Sequence, residues 1–255
     1  MVKAVIVIGL AGSGKTLISY SIWEWFRSRK QHVEILNLDP GVKKLPYKPA
    51  IDIREYIDTD HLMDKYGIGP NSALILAMDL TLDYLERINN EIRSINPSLL
   101  IIDTPGQMEI FAFRVAGKYI VDVLDVEEKA IIFVIDGLFV SDIRNFISNI
   151  LLASSVKSRF PIPMILVLNK IDLLDSKKIN YLTKVIKNPA IIYNELERHY
   201  GEDEAQFLFK VYKYLKEYIG VTSYIPVSSV TLDNFDILIQ AITRVLFKGE
   251  EYIEY

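Results

Sequence analysis

The segment Gly9-Leu10-Ala11-Gly12-Ser13-Gly14-Lys15-Thr16 constrains this chain more than any other feature, because a run of that form works only in one structural setting. It fits the pattern G-x-x-x-x-G-K-[ST], follows directly on an apolar, β-branched run at 2–8, and opens a helix-period segment at 15–29. A strand, a glycine-rich turn and a helix start, in that order, make a cradle for phosphate. The glycines let consecutive N–H groups point inward, and the helix N-terminus adds partial positive charge. Lys15 is then expected to reach the outer phosphates and Thr16 to hold Mg²⁺ through its hydroxyl, with Gly12, Ser13, Gly14 and Leu17 completing the phosphate-binding set. A glycine turn with a chance lysine is the bland alternative, and the flanking strand and helix put it far behind.

Strand-like and helix-like segments alternate along the rest of the chain. Short apolar runs occur at 33–37, 99–103, 130–136, 164–169 and 223–227. Near-continuous apolar strands suit a parallel sheet buried on both faces. Periodicity predicts helices over 72–95, 108–124, 142–157, 204–218 and 234–247. Together these predict one α/β domain over 1–255, a doubly wound, mostly parallel sheet flanked by helices. Two regions break the rhythm. Residues 39–71 are proline-rich and irregular, with one short helix expected from Thr59 as N-cap to Gly67 just past its end; loops this long inside a domain are usually functional. Residues 188–220 read as a helical insertion in which Leu208, Val211, Leu215 and Ile219 form a core stripe. Phe207, Phe209, Tyr212 and Tyr214 are left over from it.

Two further motifs carry chemistry. Leu100-Ile101-Ile102-Asp103-Thr104-Pro105-Gly106-Gln107 is an apolar strand ending in a carboxylate, placed to hold Mg²⁺ beside the phosphates. Gly106 can offer its N–H to a γ-phosphate, and Gln107 stands where Ras-like proteins carry a water-orienting glutamine. Asn169-Lys170-Ile171-Asp172 resembles the Asn-Lys-x-Asp guanine-binding signature. The Asp172 carboxylate would accept from N1–H and the N2 amine of guanine, which adenine does not offer there, so the wrong base leaves a carboxylate unpaired. The Lys170 stem would pack on the purine face and Asn169 would brace the loop. Pro226-Val227-Ser228-Ser229 sits where many GTPases close the base site, which makes Ser228 a further nucleotide contact; an ordinary strand end is nearly as good a reading.

Composition narrows the field by exclusion. The 255 residues include no cysteine, so disulfides, Cys-ligated zinc and thiol catalysis are all ruled out. His32, His61 and His199 lie far apart in sequence and read as surface or packing residues. A net charge of −4 gives no reason to expect direct nucleic-acid binding. No apolar run is long enough to span a membrane, which points to a cytoplasmic protein.

The second strand and one tripeptide suggest which branch this is. Val33-Glu34-Ile35-Leu36-Asn37-Leu38-Asp39-Pro40 resembles the acidic strand end of the dimeric class that includes signal-recognition GTPases and partition ATPases, in which such an Asp polarises water or helps carry Mg²⁺. Leu10 stands where partition ATPases carry an extra lysine, so that device is missing. With Gly69-Pro70-Asn71 added, the chain resembles the GPN-loop GTPases along nearly its whole length. That resemblance implies GTP hydrolysis to GDP and a homodimer in which each Gly-Pro-Asn turn reaches the partner's site, with Asn71 donating to the transferring phosphate. No arginine occurs between Tyr56 and Ile75, so a neutral amide is the donor this segment offers. Read alone, Asn71 would be an N-cap. The resemblance also implies a role in assembling RNA polymerase or other complexes, or in genome maintenance, through clients the sequence does not identify. The chain stops soon after the last predicted helix, so tail-dependent localisation is not expected. A P-loop kinase or ligase acting on a small metabolite is the alternative, and the guanine signature with Gln107 weighs against it. A nickel-insertion GTPase is a third reading, disfavoured without cysteine.

Overall fold

Helix and strand periods are realised as a seven-stranded, all-parallel sheet in the computed structural model, which describes residues 2–220 and 224–247. Its strands are β1 (Lys3–Gly9), β2 (Val33–Asn37), β3 (Ile51–Asp52), β4 (Leu99–Asp103), β5 (Glu128–Asp136), β6 (Met164–Asn169) and β7 (Ile225–Pro226), in the order β3-β2-β4-β1-β5-β6-β7. The helices are α1 (Lys15–Arg27), α2 (Thr59–Tyr66), α3 (Pro70–Leu80), α4 (Leu85–Ile95), α5 (Met108–Ala112), α6 (Val115–Val123), α7 (Ile143–Arg159), α8 (Ser176–Lys187), α9 (Pro189–Tyr200), α10 (Glu202–Ile219) and α11 (Phe235–Leu246). None of the described helices is long and apolar enough to cross a membrane.

The period-2 alternation of each strand explains the two-sided core. Val5 and Val7 of β1, with Ile132 and Val134 of β5, face Ile18, Ile22 and Phe26 of α1 and Leu238 and Ile242 of α11. Their sequence neighbours Ala4, Ile6 and Ile8 point the other way, into a larger core shared with α3 to α7, α9 and α10. Each fully buried Val, Ile or Phe contributes about 1.5–3 kcal/mol, so the doubly covered central strands anchor the fold. Their C-terminal ends come into line: Val7 pairs with Asp103, Asn37 with Asp103, Asn37 with Asp52, and Asp136 with Asn169. All the motif loops therefore open on one edge, where ligands bind in open α/β sheets.

Several expectations need correction. Residues 39–71 are not simply irregular, because Ile51 and Asp52 add a seventh strand to the edge of β2. Asp58, not Thr59, caps α2, its carboxylate accepting from the N–H groups of Asp60 and His61, while Gly67 ends the helix as expected. The helix predicted over 72–95 starts at Pro70 and breaks after Leu80, where the Thr81 hydroxyl donates back to the Ala77 carbonyl at 2.9 Å. Gly69, in extended conformation, is the N-cap there and Pro70 the first helical residue, so Asn71 is not a cap. The helix over 108–124 is two short helices; α6 turns back so closely that a side chain on Gly117 would collide with the Phe111 carbonyl. The helical insertion expected over 188–220 comprises α9 and α10, and α8 precedes it. Tyr212 is not left over: it is fully buried and packs on Phe146, with ring centroids 6.1 Å apart, whereas Phe207 and Tyr214 are exposed. The predicted strand over 223–227 is reduced to Ile225–Pro226, with Ser223 outside the described residues.

Candidate functional site

The turn from β1 into α1 takes the shape its glycines allow. Gly14 has φ +94°, and a Cβ there would meet the Asn169 amide, so this position requires glycine on two counts. Gly12, Gly14, Lys15, Thr16, Leu17, Pro46 and Gly106 line a cavity of about 360 Å³. A cavity of about 410 Å³ between β6, β7 and α11 holds none of the motif residues and lies toward the opposite strand ends. Lys15 is 5% exposed and its Nζ donates to the carbonyls of Gly9 (3.0 Å), Leu10 (3.1 Å) and Gly106 (2.9 Å). Burial lowers its pKa, and the carboxylates of Asp103, Asp39 and Glu109 oppose that shift. The ammonium thus ties the turn to the end of β4 and stands ready for a more negative partner. Ser13 is buried and its hydroxyl has no hydrogen-bond partner among the described residues.

Two carboxylates converge on the same edge. Asp103 is 1% exposed; its Oδ2 accepts from the Tyr47 hydroxyl at 2.6 Å, and its buried Oδ1 has no hydrogen-bond partner among the described residues. Burial pushes its carboxyl up to about 6, and the proximity of Asp39 adds to the rise; the Tyr47 and Thr16 hydroxyls and the charge of Lys15 pull the other way. Asp39 accepts from the Gly41 N–H at 2.9 Å and from the Gly106 N–H at 3.0 Å. Burial raises its pKa as well, opposed by those N–H groups and by Lys15. The Gly106 N–H that sequence reasoning assigned to a γ-phosphate is therefore engaged by Asp39; to meet a phosphate it must exchange one anionic acceptor for another. Asn37 fixes Asp39 by accepting from its N–H at 3.1 Å, while the Asn37 amide donates to Asp52 at 2.9 Å. Thr104 pins the same turn to β1 through a 2.6 Å bond to the Val7 carbonyl.

The opposite end of the site is built by Asn169. Fully buried, it donates to the Ser13 carbonyl and accepts from the Ser229 N–H, both at 3.0 Å, joining three loops as its bracing role requires. Lys170 has φ +66°, and its Nζ pairs with Asp136 Oδ2 at 2.7 Å, which sets the direction of its stem. Asp172 is exposed in the turn after β6 and takes no hydrogen bond among the described residues. The buried Ser228 hydroxyl accepts from the N–H groups of Val230 (3.2 Å) and Thr231 (3.0 Å), which shapes the loop expected to close the base site.

Asn71 and Gln107 meet. The Gln107 amide donates to Asn71 Oδ1 at 3.0 Å, within one chain, and the whole Gly69-Pro70-Asn71 turn is exposed. The sequence motifs thus gather at one edge, but three contributors were missed. Tyr47 and Pro46 lie in the segment read as irregular. Asp136 ends a strand that carries no recognisable motif.

Comparison with known proteins fits this arrangement. A family profile described as "Conserved hypothetical ATP binding protein" matches residues 7–247. GPN-loop GTPase 1 of Schizosaccharomyces pombe is 29% identical over 98% of this chain and 71% of its own length. GPN-loop GTPase 3 of Dictyostelium discoideum is 29% identical over 96% of this chain and 87% of its own. Among solved structures, a GTPase in apo form from Pyrococcus abyssi superposes with a TM-score of 0.85 at 25% identity, covering 95% of this chain and 97% of its own. The profile's description names ATP while these relatives are GTPases. The exposed Asp172 carboxylate takes no hydrogen bond among the described residues and can accept from guanine N1–H and the N2 amine, donors that adenine does not offer there.

Proposed function

Because the chain belongs to the GPN-loop GTPases, and so binds and hydrolyses GTP, we propose that it does so with Mg²⁺, as a homodimeric switch in which each Gly69-Pro70-Asn71 turn completes the partner's site. The observation that supports nucleotide chemistry here is the phosphate cavity lined by Lys15, Thr16 and Gly106, with Lys15 donating to the Gly106 carbonyl and Asp39 accepting from the Gly106 N–H; the shared site rests on the family resemblance, since the Gln107–Asn71 bond lies within one chain. The residues present fit the metal: Asp103 keeps one buried carboxylate oxygen without a hydrogen-bond partner among the described residues, and the Thr16 hydroxyl lies beside that carboxylate. Thr16 and Asp103 would hold the metal, with Asp39 nearby, and it would neutralise charge on the β- and γ-phosphates.

The chain's own groups account for the rest. The N–H groups of the turn and the start of α1 receive the phosphates, and Lys15 adds a full charge. Asp172 reads the base while Lys170, steered by Asp136, lies along it. Since the Gln107 amide N–H is committed to Asn71, its carbonyl oxygen remains to accept from an attacking water, and the Asn71 amide N–H remains to donate to phosphate oxygen. We place this activity in the cytoplasm, consistent with the lack of a membrane-crossing helix among the described ones. The cargo of the switch rests on family resemblance: RNA polymerase assembly is the reading it suggests, and co-purification with GTP-locked against GDP-bound protein tests it. The switch itself is tested by light scattering of the purified chain, in which a non-hydrolysable GTP analogue should favour the dimer over GDP; the same mass with both nucleotides would count against it.

Base selectivity gives a separable prediction. Asp172→Asn replaces a pair of acceptors with a mixed amide, so GTP affinity should fall by roughly a hundredfold, with xanthosine triphosphate gaining. Titration of both nucleotides against both proteins checks this, and unchanged GTP affinity in the variant would remove Asp172 from the base site.

A further inference from the structure

We infer that Tyr47 is a positioning residue for the metal side of this site: its phenol occupies one oxygen of Asp103 so that the other is presented to the cation. This rests on the Mg²⁺ reading above. The Tyr47 hydroxyl donates to Asp103 Oδ2 at 2.6 Å, while the ring is 8% exposed and packed in the core beneath α1. Asp103 Oδ1 is buried and has no hydrogen-bond partner among the described residues. A carboxylate can rotate between two nearly equivalent orientations. The Thr16 hydroxyl and the Lys15 charge also act on this carboxylate, and the Tyr47 phenol fixes which of its oxygens is held by the protein.

The backbone around Tyr47 is held firmly enough for that task. Asp39 accepts from the Gly41 N–H at one end of the segment, and the Ala50 N–H donates to the Ile35 carbonyl at the other. Between and beyond them, Arg54 pairs with Asp52 at 2.6 Å and donates to the Val42 carbonyl at 3.0 Å. The short strand β3 keeps Asp52 in register with Asn37. The long segment 39–71 thus delivers a rigid aromatic donor to the end of β4, and Pro46 beside it lines the phosphate cavity.

Tyr47→Phe keeps the ring and removes only the donor. The experiment measures the affinity of a fluorescent GDP analogue in excess EDTA and in saturating Mg²⁺, for the natural sequence, Tyr47→Phe, Asp103→Asn and the double variant. Mn²⁺ binding to the GDP complex, followed by electron paramagnetic resonance, is the second readout. In EDTA, Tyr47→Phe should bind within about twofold of the natural sequence. Its Mg²⁺-dependent gain in affinity should shrink roughly tenfold, with Mn²⁺ weakened in step, as expected for loss of a hydrogen bond to a charged group. In the Asp103→Asn background the same change should have no further effect on that gain, since the two act as one unit. An unchanged Mg²⁺ gain in Tyr47→Phe would overturn the inference. So would an equal loss in EDTA and Mg²⁺, which would make the phenol a support for the loop alone. No Mg²⁺ gain in the natural sequence would instead defeat the metal reading itself, and this inference with it.

Discussion

Lys15→Ala is expected to weaken GTP binding by roughly two to four orders of magnitude, the largest effect of any single change in the site. The lysine is buried, and its three carbonyl partners hold it at the mouth of the cavity lined by Gly12, Gly14 and Thr16. A hydrogen bond to a charged group contributes about 1.5–3 kcal/mol, and the ammonium is placed to make two of them with outer phosphates. That sums to about 3–6 kcal/mol, or roughly a hundredfold to ten-thousandfold in affinity. GTP should suffer more than GDP, because the γ-phosphate is one of the two contacts. Stability has opposing terms. The Gly9, Leu10 and Gly106 carbonyls lose a donor, while a desolvated ammonium, whose burial lowers its pKa, is removed. Calorimetric titration with both nucleotides, alongside a thermal melt, separates the effects. Unchanged GTP affinity in a folded variant would take Lys15 out of the binding site.

Asn71→Ala should slow single-turnover GTP hydrolysis by roughly a hundredfold to a thousandfold, by analogy with loss of one preorganised donor to developing charge. Stability should hardly move. Gly69 caps α3, the Asn71 side chain makes no cap bond, and surface changes away from such features fall within about 0.5 kcal/mol. Two routes could produce the slowing. Asn71 can act on the partner's phosphate, or it can act in its own chain by holding Gln107, which donates to it at 3.0 Å. Mixing Asn71→Ala protein with Lys15→Ala protein distinguishes them. In the mixed dimer the intact turn of the Lys15 variant meets the intact cradle of the Asn71 variant, so action across the dimer restores part of the activity. Mixed dimers seen by mass spectrometry without recovery would confine Asn71 to its own Gln107 and refute the shared site.

What could be read from the sequence was what short spacing controls. The phosphate cradle, the Asp103 strand end and Asn169–Asp172 are each set within eight residues, so their geometry follows from local rules. The roles missed depend on residues brought together from afar. Tyr47 reaches Asp103 across 56 positions, and Asp136 reaches Lys170 across 34, with nothing local to announce either. Strand β3 pairs through only two residues, too few for periodicity to register. Tyr212 falls outside the apolar stripe of Leu208, Val211, Leu215 and Ile219, yet packing centres the buried face on Ala205, Tyr212 and Ile219, seven residues apart, with Leu208 and Leu215 half-buried beside it. The position of Asn71 was legible after all. A proline favours the first helical position and keeps the residue before it extended, which assigns the cap to Gly69.

The central claim is a site that takes GTP through Asp172 at one end and hydrolyses it between Lys15, Asp39 and Asp103 at the other. Parallel calorimetric titrations of the purified chain with GTP and ATP in Mg²⁺, followed by single-turnover assays of both, address it most directly. The account predicts GTP bound at least roughly a hundredfold more tightly than ATP, because adenine leaves the Asp172 carboxylate without donors, and GDP formed from the bound GTP. Equal affinity for the two nucleotides, or tight GTP binding with no GDP produced, would contradict it.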